Sequence, residues 1–198
     1  MNELTEALDR RDTMRHKIRV SPPQRMFIKN TVLEALHNSG VNTLPVDLEA
    51  IWSSYNIIVV SYTKAKKYVR VNESIDGCMV YMGSKRLIIF NEKAYPARIR
   101  WTIAHEIGHV LLNHHIDDKS YPVKEAEANY FAEQLLMPLA VLDKLGVKTA
   151  KAIAKTCDVS MQAAKYRKYD FARRYNNPKA MYSNTYYDIR ILKQFNIT

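Results

Sequence analysis

The amino-acid sequence predicts an α+β protein with a small mixed or antiparallel sheet, a histidine-rich helix and a C-terminal helical segment. Three observations predict this class. Apolar residues recur at helical spacing before residue 56, runs of β-branched and aromatic residues follow, and helical patterns return after Pro96. No internal repeat and no low-complexity tract interrupts this order.

Two helices are predicted ahead of the sheet. The stretch "QRMFIKNTVLEALHNSG" places Ile28, Val32 and Leu36 on one face and has Gly40 where a helix would stop. The stretch "LPVDLEAIWSSYN" starts with a proline and an aspartate and repeats an apolar face. The polar residues before these helices predict a loose arm over 1–25.

The sheet is predicted from two stretches. "IIVVSYT" has the composition of a strand, and "GCMVYMGSKRLIIFNEK" predicts a hairpin whose turn lies at "GSK". The second hairpin strand, "RLIIFN", is interpreted either as a sheet edge on which an extended peptide pairs or as a core strand.

The remaining elements are helical. One helix is predicted from Pro96 through His114, and another from Pro122 to Pro138. From about residue 148 two short helical patterns follow, with a turn at "CDVS" and Ser160 as an N-cap. The last twenty residues give no firm prediction. We therefore divide the chain into an arm (1–25), a main domain (26–146) and a C-terminal helical segment (147–198).

The C-terminal segment resembles a helix-turn-helix. Its second helix carries five basic residues, so DNA binding is one interpretation and packing on the main domain, which we favour, is the other. These residues are Lys165, Arg167, Lys168, Arg173 and Arg174.

Composition limits the class of protein. The 198 residues are 47% hydrophobic and 25% charged, and the net charge of +10 suggests an acidic partner or simply a soluble basic surface. Apolar runs such as "LIIF" are far shorter than the roughly 20 residues that span a bilayer. The N-terminus lacks the apolar stretch of a signal peptide, and two distant cysteines suit a reducing compartment, so we expect a cytoplasmic protein without a membrane partner.

The stretch "WTIAHEIGHVLLNHH" holds four of the six histidines. His105 and His109 lie four residues apart, so in a helix they point about 40° from each other and can hold one ion. Glu106 is not needed as a ligand and can accept a proton from water that the metal activates. "HEIGH" is thus the H-E-x-x-H zinc pattern, with Glu106 as the catalytic base.

A third ligand is needed, and the helix "PVKEAEANYFAEQLLMP" offers it. Glu125 and Asn129 share one face, so Glu125 is the predicted third ligand and Asn129 a hydrogen-bond partner of a liganding histidine. Glu127 projects about 200° away from Glu125 and is kept only as the alternative ligand.

Two further histidines follow the motif. His115 is ten residues after His105, but the longer H-E-x-x-H-x-x-G-x-x-H pattern needs glycine where this chain has Leu112. His114 projects about 140° from His109 on a continued helix, so we interpret it as a helix-end histidine near the C-terminal dipole.

Three ordered blocks, from about residue 43 to 168, resemble the ImmA/IrrE family of bacterial and phage zinc metallopeptidases. They are "LPVDLEAIWSSYNIIVV" with "LIIFNEKAYPARIR", then "RIRWTIAHEIGHVLLNH" with "EAEANYFAEQLLMP", and last "AIAKTCDVSMQAAKYR". The resemblance implies a zincin-like fold, a zinc ion held by the two histidines of "HEIGH", and a third ligand at Glu125 or Glu127. Where leucine and phenylalanine are more usual in the family, this chain has Ile107 and Trp101.

The resemblance also implies a function inside the cell. Members typically cut a helix-turn-helix repressor encoded nearby and so turn on a mobile element or a stress response. The alternatives are a DNA-binding regulator with a structural or vestigial metal site, or the toxin of a toxin–antitoxin pair. A tyrosine is expected to stabilise the oxyanion, and Tyr121 and Tyr130 are the nearest in sequence.

Overall fold

The structure is a computed structural model that describes residues 20–67, 75–175 and 186–197. It is of the α+β class, as the sequence predicts, with helices packed around a three-stranded sheet. The helices are α1 (Pro22–Asn38), α2 (Leu48–Ser54), α3 (Tyr62–Ala65), α4 (Pro96–Leu111), α5 (Tyr121–Leu136), α6 (Leu139–Lys144), α7 (Ala150–Cys157), α8 (Met161–Tyr175) and α9 (Tyr186–Gln194). The strands are β1 (Ile57–Ser61), β2 (Gly77–Met82) and β3 (Lys85–Phe90).

The sheet is mixed, with β3 in its centre. The strand β1 pairs with β3 in parallel, and β2 pairs with β3 in the antiparallel hairpin that the sequence predicts. The edge interpretation of "RLIIFN" is therefore wrong, and its core-strand alternative is correct. Ile88 and Ile89 explain why, because neighbouring side chains point to opposite faces and both are buried.

Local capping sets several helix starts. In α1 the Ser21 hydroxyl accepts from the backbone N–H of Gln24, so the helix begins at Pro22, a few residues earlier than the sequence pattern indicates. The predicted strand "IIVVSYT" ends at Ser61. The Glu92 carboxylate accepts from the backbone N–H groups of Tyr62 and Thr63, at 3.0 and 3.1 Å, and the chain turns into the short helix α3.

Helices α4 and α5 pack closely against each other. A Cβ atom placed on Gly108 would lie 3.0 Å from Cδ1 of Phe131, so a larger residue would force the Phe131 side chain to shift by a few tenths of an ångström. Helix α4 ends at Leu111 and not at His114 as predicted, because Asn113 adopts a left-handed conformation with φ of 56°.

The C-terminal helices α7 and α8 have the predicted turn and N-cap. The Ser160 hydroxyl accepts from the backbone N–H of Ala163 at 3.1 Å. Arg167 of α8 is only 2% exposed, and its guanidinium donates to the carbonyl of Met137 at 2.7 Å and to the side chain of Gln134 at 3.2 Å. It also pairs with Glu133 and Asp170.

These contacts place Arg167 in the packing of α8 against the end of α5. The packing interpretation therefore holds for this residue, which is not available to contact a groove of DNA. Lys165 and Lys168 are exposed, whereas the side chains of Arg173 and Arg174 lie outside the described residues.

Helix α9 was not predicted. It packs on α1, and Gln194 donates from its amide to the carbonyls of Leu36 and Val41, at 3.3 and 2.9 Å. Both cysteines are free thiols. Within 20–67, 75–175 and 186–197, no helix has the length and apolar content to cross a membrane.

The Arg167 cluster predicts a large difference between two neighbouring substitutions. Arg167→Met leaves Glu133 and Asp170 without their buried cation, and we expect it to lower the free energy of unfolding by about 3 kcal/mol. Lys168→Met, on the exposed side of the same helix, should change it by about 0.5 kcal/mol or less. Urea unfolding measures both, and equal effects would contradict the packing role of Arg167.

Candidate metal centre

Three side chains converge between α4 and α5. Nε2 of His109 lies 3.0 Å from Nε2 of His105 and 3.2 Å from Oε1 of Glu125. Nε2 of His105 lies 3.5 Å from Oε2 of Glu125. Four-coordinate zinc with bonds of about 2.0–2.1 Å has ligand atoms about 3.3 Å apart, so these spacings fit an ion bound among the three side chains.

The local sequence explains this convergence. His105 and His109 share a face of α4 one turn apart, and Glu125 lies in the first turns of α5. The small side chains of buried Ala104 and Ala128 allow the two helices to approach closely, as Gly108 does at its contact with α5. The carboxylate therefore reaches the histidines.

The hydrogen bond of His105 fixes which of its nitrogens faces the centre. Nδ1 of His105 lies 3.1 Å from Oδ1 of Asn129, so Nδ1 carries the proton and Nε2 keeps its lone pair. This is the contact that the sequence predicts for Asn129.

Glu106, next to His105 on α4, contacts the sheet. It is buried, and its carboxylate accepts a hydrogen bond from the backbone N–H of Met79 on β2. Burial raises the pKa of Glu106, although the nearby His105 and His109 oppose that shift. A carboxylate with a raised pKa beside a metal site is suited to take up a proton from water.

Sequence reasoning missed the role of two residues beside the centre. Nδ1 of His114 lies 2.9 Å from Nδ1 of His109, and Nε2 of His114 lies 3.1 Å from Oε2 of Glu127. His114 does follow the end of α4, as predicted, but the chain turns at Asn113, and its ring contacts His109 where a continued helix would have pointed it away. Glu127 faces His114, which agrees with its predicted direction away from Glu125.

The other candidates make different contacts. The ring of His115 stacks on Tyr81 with centroids 4.1 Å apart, and its Nδ1 lies 2.8 Å from the Tyr81 hydroxyl. Burial raises the pKa of Tyr130 to about 12, and the charges near it include Arg167 and Arg25. Tyr121 is exposed at the start of α5.

A helix with two histidines one turn apart, a glutamate from a neighbouring helix and a small mixed sheet define a protein of the zincin-like metallopeptidase class. The family model Peptidase_M78, described as the IrrE N-terminal-like domain, matches residues 54–169, more than half of the chain. The chain belongs to this peptidase family, which is the ImmA/IrrE family that its sequence resembles. No curated protein matches the chain significantly.

The geometry predicts binding of one divalent ion per chain. Glu125→Ala and His105→Ala each remove one of three ligands and should abolish stoichiometric binding, whereas Glu34→Gln, an exposed substitution on α1, should not affect it. Metal at 100 times its Kd should stabilise the wild-type fold by about 2.7 kcal/mol. Elemental analysis and thermal unfolding with and without a chelator measure both, and metal retained by Glu125→Ala would refute this ligand set.

Proposed function

We propose that the protein is a zinc-dependent endopeptidase that cuts a regulatory protein inside the cell. The observation that carries this proposal is the position of buried Glu106 beside the convergent His105, His109 and Glu125. Two imidazoles and a carboxylate form the mixed nitrogen and oxygen set that catalytic zinc favours, with a fourth position for water or substrate.

The residues divide the chemistry among them. Bound zinc would acidify water and polarise the scissile carbonyl. Glu106 accepts the proton of the attacking water and then returns it to the leaving amine. Asn129 holds His105 with its Nε2 toward the centre, and the Met79 N–H orients the Glu106 carboxylate.

The strand β2 supports an extended mode of substrate binding. Among the strands that the structure describes it is an outer one, and its Met79 lies against Glu106. A peptide that pairs along β2 would therefore pass the general base. In such pairing, backbone hydrogen bonds supply the affinity, and pockets for alternate side chains of the peptide supply the specificity.

We further propose that the substrate is a helix-turn-helix repressor of a mobile element or a stress response. The support is membership of the ImmA/IrrE family, whose members typically act on such repressors, together with an intact general base that a purely structural metal site would not need. Binding of nucleic acid through exposed Lys165 and Lys168, and a role as a toxin, are the competing proposals.

The test is co-expression with the repressor encoded beside the gene. Glu106→Gln removes the proton acceptor but leaves the three ligands, so cleavage should fall by at least about 100-fold while zinc content stays near one per chain. Glu34→Gln, the same chemical change at an exposed site, should cut like the wild type. Fragment formation on gels and zinc content measure these outcomes.

The competing proposals give different results. An intact repressor in the presence of zinc-loaded wild type would argue against this substrate. Salt-sensitive binding to duplex DNA that Glu106→Gln leaves unchanged would favour the DNA-binding regulator. Growth arrest on expression without a partner would favour the toxin.

A further inference from the structure

A buried chain of polar side chains leads away from the proposed ligand His109. Nδ1 of His109 contacts Nδ1 of His114 at 2.9 Å, and Nε2 of His114 contacts Oε2 of Glu127 at 3.1 Å. Nζ of Lys119 lies 3.0 Å from the same carboxylate oxygen. His114 is 4% exposed and Glu127 is 2% exposed, so water cannot substitute freely for either partner.

The ends of this chain fix the direction in which each hydrogen bond is donated. Lys119 can only donate, so Glu127 accepts from it as a carboxylate and accepts again from the N–H at Nε2 of His114. A neutral His114 then has a lone pair on Nδ1, and the proton between the two rings belongs to Nδ1 of His109. The reverse order would place the Nε2 lone pair of His114 against the Glu127 carboxylate.

The consequence for His109 is a definite tautomer. His109 carries its proton on Nδ1, so its Nε2 presents a lone pair toward Nε2 of His105 and the carboxylate of Glu125. His105 reaches the same state through Asn129. Three lone-pair atoms then converge with no proton among them, an arrangement that attracts a cation.

We propose that His114 and Glu127 are positioning residues that hold His109 in the tautomer and orientation needed to bind the metal, before the metal arrives. This rests on the proposed function only in taking His109 as a zinc ligand. His105 is held by a single amide, that of Asn129, whereas the hydrogen bonds from His109 through His114 end on the buried Glu127 carboxylate. A carboxylate at the end of these bonds makes Nε2 of His109 a stronger lone-pair donor to a metal ion.

The fold supports this role with bonds that fix the His114 backbone. The left-handed turn at Asn113 allows the His114 N–H to donate to the carbonyl of His109 at 3.1 Å, which returns the ring to its neighbour. Lys124 of α5 donates from Nζ to the His114 carbonyl at 2.7 Å and also to the carbonyl of Asp117. The loop between α4 and α5 is thereby tied to the helix that carries Glu127.

The first test compares two substitutions at His114 by zinc affinity. In His114→Asn the amide oxygen can take the place of Nδ1 as the acceptor for His109, whereas His114→Leu fills the space without an acceptor. We expect His114→Leu to raise the zinc Kd by about 10–100-fold and His114→Asn to restore most of that loss. His115→Leu, next in the chain and exposed, is the matched control and should bind as the wild type does.

Competition with a chromophoric chelator measures the zinc Kd, and thermal unfolding of the metal-free proteins measures stability separately. Equal losses of affinity in His114→Asn and His114→Leu, or none in either, would overturn the proposal. Failure of the wild type itself to bind zinc would instead refute the metal site, so the two failures are distinguishable.

A second test needs no variant that must fold. Long-range ¹H–¹⁵N spectra of the histidine rings in metal-free wild-type protein report which nitrogen carries the proton. We expect His109 to be protonated at Nδ1 and His114 at Nε2, although an isolated neutral histidine favours the Nε2–H form. A metal-free His109 protonated at Nε2 would overturn the proposal.

Discussion

The metal centre depends on the close contact between α4 and α5 at Gly108. Two ligands belong to α4 and the third belongs to α5, so the distance between the helices sets the size of the site. Phe131 is fully buried against Gly108 and fixes that distance. Metal–ligand distances lie within about 0.2 Å of their standard values, so a shift of Phe131 that moved the two helices apart would affect the site. The helix-propensity cost of this glycine, about 1 kcal/mol, is offset by the contact it allows.

Helix α5 carries polar residues on several sides, and each set has a separate task. Glu125 and Asn129 contact the liganding histidines, and Glu127 faces His114 on the loop. Glu133 and Gln134, one to two turns further on, bind Arg167 of α8. A helix surrounded by protein has no single wet face, and for this reason its sequence shows a weak amphipathic pattern. The same contacts place the C-terminal helices against the peptidase fold.

Helical geometry alone predicts much of the site from the sequence. It does not predict the contacts that form only when the chain folds. The spacing of His105 and His109, and the angle that separates Glu125 from Glu127, are properties of a regular helix and could be predicted. The role of His114 depends on a left-handed residue outside the helix, at Asn113, where a continued helix would have pointed the ring elsewhere.

The sheet and the short elements show the same division. The hairpin of β2 and β3 has a local turn signal, but the pairing of β1 with β3 joins segments far apart in sequence. Helix α3 depends on Glu92, thirty residues away, and α9 depends on the surface of α1. The periodicity of a short stretch carries no information about contacts with residues far away in sequence. Tertiary contacts therefore determine these elements.

Three glutamates within 22 residues have different roles because their neighbours differ. Glu106 has the backbone N–H of one strand residue, and burial raises its pKa toward the range of a useful base. Glu125 faces Nε2 of two imidazoles at 3.5 and 3.2 Å, a spacing at which the three groups can hold one ion. Glu127 has a lysine and an imidazole N–H, which compensate a charge buried more deeply than either of the others. The three residues are of the same type, so residue type alone does not decide which carboxylate acts as base and which as ligand. The groups that surround each carboxylate decide it.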